Sequence, residues 1–461
     1  RERQWALSPD DPDVYIDLMN QLRSGGRLTR FGEVFDPGRM KRAFASARKF
    51  ETFNALTWLD DPAWHLELAR KQALRVPAYP APPRRQDAGS GARLKIGYWS
   101  CDFYDHATSQ LISEVFELHD RAAFEIFILS YGRSRSDAAG MRIRQGAEHF
   151  LDFGALSDGE AVSRIAALDL DILVDLKGYT GSTRMAVPFA RPARIVASWL
   201  GYPGSLGTDK ADYIIGDAVV TPPGSESFYD EKIVRLAASY QPNDSRQAVA
   251  PAKSRSAYGL PEDAVVLAAF NAVHKISPEI FDIWMRALKG NEALCLWLFA
   301  EEAPIFAQLV AEAEARGVDA RRLVHAGKQK RPEHIARYKV ADLALDTFPY
   351  GSHTTGSDAL RCGCPLLVIE GRSFASRVSA SLLTAAGMPR LITGSLEEYE
   401  AALMDLTNTP ESLRALRRRL ESAAPSSPLF DTPAFVRDLE GAYRRMVAGA
   451  ADGAAGEAGM S

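Results

Sequence analysis

Cysteine is scarce in this sequence: Cys101, Cys295, Cys362 and Cys364 are spread over 461 positions. Four thiols so scattered do not make a disulfide framework. Cys362 and Cys364 form a C-x-C, but no second pair and no nearby histidine stand at zinc spacing, so no metal is expected. Reduced, buried thiols fit a cytoplasmic protein. Long apolar runs are also missing. None approaches the roughly 20 residues that span a bilayer, and no signal peptide is visible, so no membrane partner is expected. Charge of one sign is lacking too. A formal net charge of −4 leaves no electrostatic footprint for nucleic acid, and the short basic run Arg417-Arg418-Arg419 reads as a solvated helix face.

Apolar material is plentiful. With 46% hydrophobic and 25% charged residues, the chain can build real cores, and its length asks for two or three domains. Residues 1–76 carry apolar positions at helical spacing, as in Val14-Tyr15-Ile16-Asp17-Leu18-Met19. They read as a helical region, with a worn helical-repeat remnant as one origin for it. Residues 77–92 (PAYPAPPRRQDAGSG and one alanine) are rich in Pro, Gly and Ser and read as a linker.

From there the pattern alternates between short apolar runs and amphipathic stretches. Strands are expected at 94–99, 124–130, 171–176, 195–200, 213–215 and 233–236. After a polar stretch at 241–256, they resume at 265–270, 294–299, 323–325, 343–345 and 366–369. Helical patterns between them imply parallel sheets with crossover helices. The expected fold is α/β, with two Rossmann-like domains at 93–245 and 246–448, the second ending in a closing helix. In such a fold ligands bind outside the carboxyl ends of the strands, in a cleft that the two domains face. The small polar tail 449–461 is expected to be disordered.

The chemistry-bearing residues cluster at these strand ends. The segment 346–358 (DTFPYGSHTTGSD) follows a strand and opens a helix at His353-Thr354-Thr355-Gly356. Gly351 is expected to permit an unusual turn. Opening amides and threonine hydroxyls suit a diphosphate, and Asp358 suits ribose hydroxyls; the same threonines can equally be plain helix caps. Lys275, in FNAVHK at 270–275, can offset charge on a leaving phosphate or be a surface lysine. In KQKRPEHIAR at 328–337, Arg331 and Arg337 can meet base and phosphate and His334 can stack on a base, unless this is an ordinary solvated helix start after Pro332. His106 follows the strand-end sequence Ser100-Cys101-Asp102-Phe103-Tyr104-Asp105. It can orient a nucleophile, relay its proton, or cap the next helix. Asp175 ends a strand, Gly178 and Gly181 keep the next loop open, and Trp199-Leu200-Gly201-Tyr202-Pro203-Gly204 makes a tight turn.

Taken in order, these motifs resemble the O-GlcNAc transferase family, glycosyltransferase family 41, in its bacterial and SPINDLY-like members. The likeness covers roughly residues 50–445 and rests on 102–109 (DFYDHATS), Gly178-Tyr179-Thr180, WLGYPG at 199–204, Phe270-Asn271 with Lys275-Ile276, His334 with Arg337, the HTTG segment, and Ala375-Ser376-Arg377-Val378. The resemblance implies a GT-B fold and an inverting, metal-independent transfer of a sugar, GlcNAc in the main branch, from a UDP-sugar to Ser or Thr hydroxyls of a protein acceptor. It assigns Lys275, His353, Thr354 and Thr355 to the diphosphate, and Asp358 to ribose. Gln329 and Arg331 flank uracil, His334 stacks on it, and Arg337 helps hold the nucleotide. His106 matches the active-site histidine, Asp175 is a secondary choice for the general base, and Tyr202, Pro203 and Gly204 belong to the acceptor and sugar loop.

Some positions depart from the pattern. Ala272 stands where animal enzymes have glutamine, His274 replaces a tyrosine, Arg331 replaces a lysine, and Ala107 follows His106 in place of proline. The family's long helical-repeat array is absent or reduced in residues 1–76. Relatives using GDP-fucose on hydroxyls or glucosylating asparagine are the near alternatives; a nucleotide-sugar-binding scaffold without turnover is the distant one.

Overall fold

The computed structural model describes residues 2–82, 93–132 and 137–458. The greater part of the expected linker, 83–92, and the last three residues of the expected tail lie outside them. Among the described residues, thirteen strands form two sheets. The first holds β1 (Leu94–Ser100), β2 (Phe124–Ser130), β3 (His149–Asp152), β4 (Ile172–Asp175), β5 (Ile195–Ser198), β6 (Tyr213–Asp217) and β7 (Lys232–Leu236). The second holds β8 (Val265–Ala269), β9 (Leu294–Phe299), β10 (Leu323–Ala326), β11 (Leu343–Leu345), β12 (Leu366–Ile369) and β13 (Ile392–Thr393).

All pairings are parallel. The orders are β3-β2-β1-β4-β5-β6-β7 and β10-β9-β8-β11-β12-β13. Each sheet therefore contains the doubly wound order 3-2-1-4-5-6, whose direction reverses between its first and fourth strands. Those reversal points, β1/β4 and β8/β11, place the site residues.

The strands are continuous apolar runs because both faces are covered. In the first sheet Trp99, Phe127, Leu129, Leu173, Phe153 and Val187 share one buried cluster. Helix starts are locally encoded. Ser157 and Glu160 form a reciprocal capping box, and Ser277 caps the helix Pro278–Gly290 with proline in its first turn. Two strands escape the sequence pattern. His149–Asp152 is a four-residue edge strand, partly exposed along its length, and Ile392–Thr393 has only two residues, too few to display a period.

The chain folds into two compact units that do not follow the contiguous division expected. One comprises Arg1–Asp61 with Gln247–Ser427, the other Pro62–Arg246 with Pro428–Ser461. The N-terminal helices thus belong with the second sheet. Buried Arg23 donates to the carbonyls of His274 (3.1 Å) and Thr57 (3.3 Å). Asp60 accepts from the backbone N–H of Arg372 (2.6 Å) and Ser373 (2.8 Å) at the start of the helix Phe374–Ala385, where a carboxylate meets the helix dipole.

The last helix, Thr432–Ala458, belongs with the first sheet. Tyr443 and Tyr98 share a hydroxyl–hydroxyl bond of 2.9 Å, His119 bridges Tyr98 (2.8 Å) and Glu440 (3.0 Å), and Phe435 stacks on Trp199. This corrects two expectations: the closing helix serves the other domain, and it runs through most of the tail read as disordered. Alanines at 448, 450, 451, 454 and 455 favour helix strongly enough to carry it past the interspersed glycines.

Candidate functional site

In the unit built on the second sheet, β8 and β11 lie side by side, and the chain leaving each one meets the other. Asn271, just beyond β8, is buried and donates from Nδ2 to Asp346 Oδ1 (3.2 Å), Thr347 Oγ1 (3.0 Å) and Ser352 Oγ (2.8 Å). Its Oδ1 accepts from Thr355 Oγ1 at 2.8 Å. Asp346, just beyond β11, gathers the rest: its Oδ1 accepts from the backbone N–H of Thr347 (2.8 Å) and Ser352 (2.6 Å) and from Ser352 Oγ (2.7 Å). Burial raises this carboxyl, and its hydrogen bonds oppose the rise. The network draws the loop 346–353 into a tight fold over the sheet's reversal point.

That fold delivers Lys275, His353 and Thr355 to one place. Lys275 Nζ donates to the carbonyl of Gly351 (3.0 Å) and sits 4.0 Å from the centre of the Tyr350 ring. His353 stacks on the same ring, with centroids 4.7 Å apart. Burial pushes the Lys275 ammonium down to about 8, with Asp346 pulling the other way. Burial, and then the lysine, hold His353 well below its ordinary value, so it is neutral, and its Nε2 is buried without a hydrogen-bond partner. His353 precedes the helix Thr354–Arg361, whose opening N–H groups have no intrahelical acceptor. One cation, one neutral imidazole and a helix N-terminus make a site suited to a polyanion. Gly351 is needed for close approach rather than for an unusual φ: a Cβ there would lie 2.7 Å from Ser379 Oγ and 3.0 Å from Asp346 Oδ2.

The remaining candidates of this unit are placed less simply. Arg331 and Asp358, expected to bind different parts of a nucleotide, are bonded to each other through both guanidinium ends, at 2.8 and 2.7 Å. Two charges so close, one of them buried, satisfy each other first. Gln329 is exposed in the loop after β10. His334 is half-buried, 5.7 Å from the Phe270 ring, and pushed down to about 3 by burial and by Arg337 and Arg331. Arg337 departs from the expectation. It is 2% exposed, donates to the carbonyl of Gly327 (2.8 Å) and to His334 Nδ1, and lies over the rings of Phe270 and Trp297. It packs this corner of the fold and positions His334.

The unit built on the first sheet repeats the arrangement with different chemistry. Beyond β1, Asp102 is buried, and beyond β4 stands buried Lys177, whose Nζ donates to Asp102 Oδ2 at 2.7 Å. His106 caps the helix Ala107–Leu118: its Nδ1 accepts from the Thr108 N–H (3.2 Å) and lies 3.5 Å from Asp102 Oδ2. Its side chain is 37% exposed. Asp175 does not sit as a base would. It is 1% exposed, and its two oxygens accept from the backbone N–H of Lys177 (3.3 Å) and Gly178 (2.7 Å). Burial lifts its carboxyl to about 6, but its geometry is that of a loop anchor.

Gly178 has φ +54, and a Cβ on it would fall 2.4 Å from Tyr202 Cβ, so glycine is required twice over. Tyr202, Pro203 and Gly204 are buried, with Tyr202 packed edge-on against Tyr179. The turn before them holds Leu200 at φ 74, a strained position for a branched side chain. Sequence reasoning missed Lys177, which stands inside the quoted loop region but looks like any surface lysine.

The family described as "Glycosyl transferase family 41" matches residues 63–251 and 243–439. A probable UDP-N-acetylglucosamine–peptide N-acetylglucosaminyltransferase, SEC, of Arabidopsis thaliana is 34% identical over 91% of this chain and 45% of its own length. The corresponding probable enzyme SPINDLY of Oryza sativa subsp. japonica is 30% identical over 77% of this chain and 39% of its own. The chain thus spans less than half the length of these curated relatives. Among solved structures, a point mutant of Thermobaculum terrenum O-GlcNAc transferase superposes with a TM-score of 0.81 at 31% identity, covering 98% of this chain and 87% of that one. With two Rossmann-like sheets in the GT-B class, the chain belongs to glycosyl transferase family 41.

Proposed function

We propose that this protein transfers a sugar, GlcNAc for preference, from a UDP-sugar to serine or threonine hydroxyls of a protein, with inversion and without a metal. The observation that carries the reading is the convergence of Lys275, His353 and the start of the helix Thr354–Arg361 on one loop. A diphosphate placed there meets an ammonium and the opening turn of a helix, which offset the charge that grows as the leaving group departs. No cation beyond the lysine is required by this scheme. The hydroxyl oxygen bonds to the anomeric carbon, the bond from that carbon to the β-phosphate oxygen breaks, and UDP leaves with its electron pair while the hydroxyl proton passes to a base. His106 orients the acceptor side. Arg331 and Asp358 exchange part of their mutual bonding for the nucleoside when the donor arrives. The names of the family relatives support UDP-N-acetylglucosamine as donor and a peptide as acceptor.

Incubating the chain with host proteins and a panel of nucleotide sugars, followed by intact-mass measurement, tests this directly. The expected result is a HexNAc addition with UDP-GlcNAc, at serine or threonine. Turnover of GDP-fucose with no UDP-sugar used would overturn the donor assignment, and binding without any turnover would favour a scaffold. His106→Ala is expected to lower transfer by about 10²-fold, the low end for a positioned proton or hydrogen-bond group. UDP affinity, measured by calorimetry, should stay within about twofold of wild type on the same reasoning. Equal loss of both would make His106 a structural cap only.

A further inference from the structure

Lys275 is aimed from both of its ends. At the tip, Nζ meets the carbonyl of Gly351 and the Tyr350 ring. At the root, the peptide unit that enters the residue is bonded along both edges. The Lys275 N–H donates to the carbonyl of Ala272 (2.9 Å), and the carbonyl of His274 accepts from Arg23 Nε (3.1 Å). One residue on, the Ile276 N–H donates to the carbonyl of Val273 (3.0 Å) and closes the short turn Val273–Lys275. A peptide is planar, so fixing both polar edges and the turn that follows sets the direction in which the lysine side chain leaves. Arg23 is the partner that reaches this turn from elsewhere in the chain, from the helix Pro12–Ser24.

Arg23 is itself firmly held. It is 3% exposed, its Nη2 donates to the carbonyl of Thr57 (3.3 Å), and its guanidinium lies 4.9 Å from the centre of the Phe31 ring. Burial lowers it to about 10, with Glu279 opposing, so it stays charged through the neutral range. A rigid planar fork that bonds two carbonyls suits the fixing of a backbone, and a buried charge is a costly way to fill space alone.

Two more contacts from the N-terminal helices reach the same loops. Phe53 meets the Tyr350 ring edge-on at 5.8 Å, the ring against which Lys275 and His353 lie. Asp60 holds the start of the helix Phe374–Ala385. From that helix Ser379 Oγ donates to the carbonyl of Ser352 (2.7 Å), and the carbonyl of Ala375 accepts from the Gly351 N–H (3.3 Å). The turn of Lys275, the ring beside its ammonium and the helix behind the loop are thus all held from the N-terminal helices.

We infer that these helices are an integral part of the donor site and that Arg23 is its positioning residue: by holding the His274 carbonyl, it aims the Lys275 ammonium at the diphosphate. The inference rests on the proposed role of Lys275 toward the UDP-sugar.

A double-variant cycle on the full chain tests it, with Arg23→Met, Lys275→Ala and the pair, each checked for fold by near-ultraviolet circular dichroism and a melting curve. Should Arg23→Met fail to fold, Arg23→Lys, which keeps the charge without the planar fork, takes its place. Transfer from UDP-GlcNAc to host proteins should fall by about 10²-fold in Arg23→Met, the scale of a displaced reacting group, and UDP should bind more weakly. In the Lys275→Ala background the same substitution should change transfer by no more than about twofold, because no ammonium is left to aim. A purely structural role would lower both backgrounds alike.

The pH dependence of UDP affinity gives a second reading. Among the groups coupled to Lys275, Asp346 favours its charge, and His274 and His353 are kept neutral by burial. With the turn loosened, Nζ regains water. The alkaline weakening, set near 8 by burial in the wild type, should then move to higher pH in Arg23→Met. Wild-type transfer in folded Arg23→Met, equal losses in both backgrounds, or an unmoved alkaline limb would each overturn the inference while Lys275→Ala remains impaired. Wild-type binding and transfer in Lys275→Ala would instead remove the proposed role of the lysine, and this inference with it.

Discussion

Lys275→Ala should lose transfer by about 10² to 10³-fold, the effect of deleting one preorganised charge partner of a developing anion. The fold should remain. In the free protein Nζ makes one hydrogen bond to a carbonyl and one cation–ring contact, together worth about 1–2 kcal/mol. Loss of the cation leaves His353 and the helix amides to meet the diphosphate alone, so UDP affinity falls too. The measurement is donor turnover with a melting curve and UDP calorimetry on the same sample. Wild-type turnover in a folded Lys275→Ala would remove the residue from the chemistry.

The same lysine gives a pH signature. Burial sets it near 8 in the free protein, so the ammonium is present below that pH and is lost as pH rises through it. UDP affinity should therefore weaken on the alkaline side of 8. Lys275→Arg should abolish that dependence, because guanidinium stays charged throughout, even if its shape costs rate. An unchanged alkaline weakening in Lys275→Arg would assign the titration to another group.

Asp346→Ala is expected to have the largest effect on stability. One carboxylate oxygen holds two backbone N–H groups and a hydroxyl inside the protein. Removing it orphans them, at a cost of about 3–5 kcal/mol in the range for stripping a buried charged acceptor from its partners. The loop that presents Gly351, His353 and Thr355 should loosen with it, and UDP binding should disappear along with ordinary thermal stability. Asp346→Asn keeps an acceptor oxygen in place and should retain most of the fold, at a cost of about 1 kcal/mol. Chemical denaturation of the three proteins checks this; similar midpoints for the Ala and Asn variants would show that the carboxylate hub does not hold the loop.

How much of this was legible beforehand varies with the range of the interaction. β2, β9, β11 and β12 start and stop where apolar runs and flanking turn residues say they should, because those signals are local. Lys275 and His353 could be placed at strand ends for the same reason. Their meeting at Tyr350 could not, since it depends on β8 and β11 being neighbours across a crossover of more than seventy residues. Arg331 and Asp358 were both picked out as polar groups at strand ends, yet the bond between them is a distance, and spacing in sequence carries none. Asp175 was a secondary choice for the general base on the family likeness alone; the backbone N–H groups of Lys177 and Gly178 that it accepts from are a matter of three-dimensional placement that spacing does not carry. Lys177 was invisible for the opposite reason: lysines are common on surfaces, and nothing local announces one buried against Asp102.

The chain's passage between its two units at Asp61/Pro62, Arg246/Gln247 and Ser427/Pro428 bears on any attempt to divide the protein. A single cut near position 246 would yield two fragments, each missing a wall. The first would surrender Tyr443 and Glu440 and bare Tyr98 and His119 to water; the second would leave the carbonyl of His274 without Arg23. Only when mixed, and trading their ends, would such halves recover a fold, so complementation between separately expressed pieces is the behaviour this path through space dictates.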